Sequence, residues 1–103
     1  MKEKKLFFDF LDAKYKANQL DNVARELRSI AQNKLTGDIR VLEKKWSGEA
    51  CDKFILKGNK LIERLNKEAD SLNCTANTIR KIAEKVYVSE MNALEIAKKR
   101  NYK

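Results

Sequence analysis

The chain has 103 residues, enough for one domain, with no Pro, no His, three Gly and a net charge of +8. At 43% hydrophobic and 37% charged it is too apolar for disorder, and with so little Pro and Gly it lacks the punctuation that sheets and tight turns need. Without His, the commonest general base and imidazole ligand are missing, so a non-enzymatic, cofactor-free and metal-free helical protein is expected.

The opening stretch, Met1 to Leu11, imitates the basic start of a signal peptide, but Asp9 and Asp12 interrupt the apolar run before it becomes one. No segment approaches the roughly 20 apolar residues of a membrane-spanning helix. Leu6, Phe10, Ala13, Ala17, Leu20, Ala24, Leu27 and Ala31 then follow one another in steps of four and three, the period of a helix packed along a seam. Leu35, Ile39, Leu42 and Trp46 continue the stripe with mostly four-residue steps, so the seam drifts round the helix without stopping. Gly37 is the weak point. It costs about 1 kcal/mol against Ala in a helix interior, and a kink restarted by Asp38 is the alternative to the continuous helix expected here.

Trp46-Ser47-Gly48-Glu49 is the best turn in the sequence: Gly48 tolerates left-handed backbone, and Ser47 is placed to cap the next helix. Beyond it Ala50, Phe54, Gly58 and Leu61 lead into Leu65, Ala69, Leu72, Ala76, Ile79, Ala83 and Val86, with Ala93 and Ala97 after Glu90. The predicted fold is therefore all-α, a single domain over residues 1–103 made of an antiparallel hairpin of two long helices. Phe7, Leu11, Val23, Ile30, Ile55, Ile62 and Ile82 widen the stripes beyond what one facing helix covers. A second hairpin, completing a four-helix bundle, is the expected cover. The residues expected to meet it are Phe7, Phe10, Leu20, Leu27, Phe54, Leu61, Leu65, Leu72 and Ile79.

Cys51 and Cys74 stand 23 residues apart on one predicted helix, roughly 35 Å, too far to pair with each other, and are read as core or boundary residues. They have neither C-x-x-C spacing nor His partners, and no Gly-rich phosphate loop occurs. Charge is even along the chain: residues 1–45 hold 11 basic and 7 acidic side chains and residues 46–103 hold 12 and 8. Only the tail, Lys98, Lys99, Arg100 and Lys103, gathers cations, and there they suit a helix C-terminus.

A length near 100, the absence of Pro, two amphipathic helices and Trp46-Ser-Gly48 at mid-chain, followed by Ala50 and Phe54, resemble the W-x-G family of small helical-hairpin proteins of type VII (ESX-like) secretion in Gram-positive bacteria. The resemblance implies a Trp packed at the hairpin end, a Gly that makes the turn, and export without a signal peptide in dimeric form. It also implies a helical protein as partner: a secreted effector or toxin domain, another W-x-G-like protein, or a second copy. The family's export signal is Tyr-x-x-x-Asp/Glu after the second helix. Tyr87-Val-Ser-Glu90 departs from it by one residue, which suits an accessory protein carried out on a partner with the intact signal. A self-exported homodimer is the near alternative. From another class comes a basic nucleic-acid-binding helix pair, disfavoured because the aromatics sit in the apolar stripes. A peripheral membrane hairpin anchored by Phe7, Phe8, Phe10 and Leu11 is disfavoured because Asp9 and Asp12 repel anionic lipid.

Overall fold

A computed structural model describes residues 2–100; Lys103 of the basic tail therefore lies outside the described residues. The fold is an all-α helical hairpin. Helix α1 (Lys2–Ser29) passes through a π-helical turn (Ile30–Leu35) directly into α2 (Thr36–Lys45), and α3 (Glu49–Arg100) forms the other arm.

Gly37 breaks nothing, as expected, but the π turn beside it was not foreseen. Its cause is legible in hindsight. From Leu27 the stripe takes three successive steps of four, Ala31, Leu35 and Ile39, which is one residue more than a heptad seam allows. A π turn absorbs one extra residue and returns the stripe to the same face. The Thr36 hydroxyl donates to the Ala31 carbonyl at 2.8 Å, a five-residue reach that matches this widened turn.

The chain closes α2 with a Trp46 N–H donated to the Leu42 carbonyl at 2.8 Å, and then turns. Gly48 has φ +109°, and its carbonyl accepts the Asp52 N–H at 3.1 Å. The residue at the cap of α3 is thus Gly48 and not Ser47, because only a residue without Cβ holds that backbone and still starts the helix. Nothing lies within 4 Å of where a Gly48 Cβ would stand, so strain alone acts against a side chain. Gly48→Ala is expected to cost about 2 kcal/mol. Urea unfolding would read this, and an unchanged midpoint would contradict it.

The chain forms two compact units. One joins the residues up to Leu20 with those from Cys74 onward, and the other spans Asp21–Asn73. In the first, Glu3 meets Lys98 and Asn18 meets Arg80, so the strands of helix run antiparallel. In the second, Asp21 meets Asn73 and Arg28 meets Asp70, each at 2.7 Å, in the same antiparallel sense.

The core is small. Ala17, Ala24, Ala31, Ala69 and Ala76 are fully buried, with Ile39 and Cys51 nearly so, while no large side chain among the described residues is fully buried. Methyl groups this short lose all contact with water only where the opposing helix presses close, towards the ~8 Å end of the usual interaxial range. At Gly58 the approach is closer still: an added Cβ would stand 2.8 Å from Cδ1 of Ile39.

The second stripe lies one residue away from its expected register at both ends. Cys51, Ile55 and Ile62 point inward where Ala50, Phe54 and Leu61 were expected, and Tyr87 and Leu94 do so where Val86 and Ala93 were, with Met91 half-buried between them and Ala97 exposed. Adjacent apolar residues made both registers available. Strict three-and-four stepping back from Leu65 selects Ile62, Gly58, Ile55 and Cys51. Cys74 is exposed, contrary to the core or boundary position expected of it, whereas Cys51 is buried.

Candidate functional site: an open apolar flank

Each unit has two flanks beside its alanine seam, and they differ in chemistry. In the Asp21–Asn73 unit, Asp21 and Arg28 stand a heptad apart on one side of the seam and bond to Asn73 and Asp70. In the other unit, Arg80 donates to Asn18 at 2.7 Å and Lys98 donates to Glu3. This hydrogen bond, with the charge of Lys98, holds the Glu3 carboxyl below its usual value. A depressed carboxyl contributes stability above its unfolded pKa, and that contribution is lost as pH falls through the folded one. Asn66, one heptad before Asn73, has a buried Oδ1 without a hydrogen-bond partner among the described residues. Polar side chains thus latch one flank.

The opposite flank carries aliphatic side chains. In the Asp21–Asn73 unit, Val23 and Ile30 on the first arm and Phe54 and Leu61 on α3 are exposed, beside half-buried Leu27, Leu65 and Leu72. In the other unit, Leu6, Phe10, Ala13, Ile79, Ile82 and Val86 line a groove of about 320 Å³, with Asp9, Ala83 and Tyr87 also in its lining. Ile82 and Val86 are more than half exposed there.

Of the residues expected to meet a partner, Leu20, Leu27, Leu65, Leu72 and Ile79 are half-buried beside the seam, and Phe54 and Leu61 lie exposed on the open flank. Phe10 is half-buried. Its ring stacks on Tyr87 with centroids 5.0 Å apart and planes at 24°. Phe7 does not join the open flank: it is exposed and tilted against Tyr87 at 6.3 Å from the other side of α1. The polar latch was not foreseen, although the heptad spacing of Asp21 with Arg28, and of Asn66, Asn73 and Arg80, signals it beside the seam.

Two expectations carried by the resemblance meet different geometry. Trp46 is 61% exposed, not packed at the hairpin end; it stands just past the end of α2 with extended backbone (φ −117°, ψ 148°), off the helical run that carries the seam. Trp46→Ala is therefore expected to lower stability by less than about 1 kcal/mol. A loss of several kcal/mol in chemical denaturation would contradict this exposure. Tyr87 and Glu90 lie inside α3, ten residues or more before its end at Arg100, with Tyr87 engaged by Phe10 and Phe7 and Glu90 exposed.

Among the described residues no group of three His, Cys, Asp or Glu side chains could hold a metal ion, and no helix is long and apolar enough to cross a membrane. Comparison of the chain with protein-family models, with curated proteins and with solved structures finds no match.

Proposed function

We propose that this protein acts by binding and not by catalysis, as a W-x-G-like accessory partner in type VII secretion whose open flank docks on the helical domain of a secreted effector or toxin. One observation carries the reading: the hairpin buries alanines and leaves large aliphatic side chains, Val23, Ile30, Leu61, Ile82 and Val86 among them, exposed on one flank of each unit. A second two-helix unit laid on that flank would complete a four-helix bundle.

The mid-chain Trp46-Ser-Gly48 turn, the length and the doubled seam support the family assignment. The off-register Tyr87-Val-Ser-Glu90 supports export on a partner and not alone. Basic surface favours an acidic partner, since complementary charge guides encounter and disfavours self-pairing. The solvent-facing indole of Trp46 is free to touch that partner or the export machine.

The test is co-expression with the N-terminal helical domains of effectors encoded beside it, followed by mass measurement in light scattering. A one-to-one complex that is lost in the Val23→Asp, Ile82→Asp double variant is expected. A complex indifferent to those substitutions, or no complex with any such domain, would contradict the reading.

A further inference from the structure

Successive residues of an α-helix are turned by about 100°, so Lys4, Phe7, Phe8, Leu11, Lys14 and Tyr15 fall in one sector of α1, roughly 120° wide. This sector faces away from the seam of Leu6, Ala13 and Ala17. It is a different surface from the open flank. Phe8 is 64% and Tyr15 61% exposed, and Phe7 and Leu11 are exposed as well. Four large apolar side chains within nine residues are thus held out towards solvent by a helix whose inner face is already occupied.

We infer that this sector docks on an anionic lipid bilayer, lying in the interface without crossing it. Three features select that occupant. The sector sits on the outer surface of a single helix, with Phe8 and Tyr15 more than 60% exposed, so the side chains project as plugs and do not form a groove for a partner helix. Its chemistry is that of an interfacial helix, aromatic and aliphatic side chains framed by lysines. Its charge complements acidic headgroups, because Lys4 and Lys14 lie within it and no carboxylate does.

Asp9 and Asp12, which argue against membrane contact when read along the chain, are turned about 100° or more from the centre of the sector. Asp9 lines the groove beside Ile79 and Ile82, and Asp12 is ion-paired with Lys16 at 2.9 Å. The fold also brings the basic end of α3 to the start of α1, since Lys98, in its last turn beside Lys99 and Arg100, bonds to Glu3. Even charge along the sequence conceals that convergence.

The experiment is sedimentation of the full chain with vesicles of phosphatidylcholine mixed with phosphatidylserine, and with phosphatidylcholine alone, at low and high salt. Binding to the mixed vesicles, weakened by salt and roughly tenfold weaker in the Phe8→Ser, Leu11→Ser double variant, is expected. Both substitutions face away from the seam, so helicity by circular dichroism is expected to be unchanged. Lys4→Glu with Lys14→Glu, which keeps every apolar side chain, should weaken binding as well. Failure of the full chain to sediment with the mixed vesicles would overturn the inference, as would binding that both double variants retain in full. So would binding of an oligouridylate, lost in the same variants while vesicles stay unbound, which would make the sector a stacking surface for nucleic acid.

Discussion

Replacing Ala24 with Leu is expected to cost about 3 kcal/mol of stability, the upper part of the range for overpacked cores. Ala24 is fully buried in the Asp21–Asn73 unit, and so are Ala31 and Ala69. A Leu there adds three carbons where the only accommodating motion is to push the helices apart. That would also stretch the bonds of Arg28 to Asp70 and of Asn73 to Asp21, each 2.7 Å long. Urea unfolding followed by circular dichroism reads the loss directly. Leu is a better-packing side chain than Ala wherever space exists, so a stability gain would mean that the seam is loose and that the alanines do not set the helix spacing.

Phe10→Ala is expected to cost about 2 kcal/mol, less than for a fully buried Phe because the ring is only half covered. What it covers matters more than its own burial. Phe10 stacks on Tyr87, Phe7 tilts against the same Tyr87, and the Lys14 ammonium lies 5.3 Å from the Phe10 centroid. The ring also lines the groove, together with Ala13 and Ala83. A double-mutant cycle with Tyr87→Ala should give a coupling of about 1 kcal/mol, the usual worth of an aromatic pair beyond its buried area. Zero coupling would free Tyr87 from a structural role, leaving export recognition as the reason for an aromatic at that position.

The hairpin was legible because two long stripes and one Gly-containing break leave few other folds open. The register was less so. At Leu61-Ile62 and Val86-Tyr87, neighbouring apolar residues satisfy the period equally well, and the choice falls to packing against the other arm. The π turn was written in the steps from Leu27 to Ile39 but reads as mere drift until the turn itself is seen. Trp46 and Cys74 misled for a common reason: residue type suggests burial, whereas position relative to the seam decides it. The open flank was legible as excess width of the stripes. The polar latch opposite it left only the heptad spacing of Asp21 with Arg28 and of Asn73 with Arg80, a pattern that reads as ordinary surface until the two arms are aligned.

These two flanks make the hairpin directional. Cross-arm hydrogen bonds occupy one side of each unit, so a further helical unit would meet mainly aliphatic surface on the other, with Asp9 a carboxylate in the groove that it would have to leave solvated or pair. The lipid-facing sector of α1 lies away from the open flank, on the side where Phe7 meets Tyr87, so a bound partner and a membrane would not compete for the same side chains.

The most direct measurement is the mass of the purified chain by light scattering across a wide concentration range, with helicity recorded on the same samples. The expected result is a helical species near 12.0 kDa, or a mass that climbs with concentration without settling, since the open flank then awaits a different protein. A concentration-independent particle of twice that mass would contradict the accessory role, because the chain would already cover its own flank.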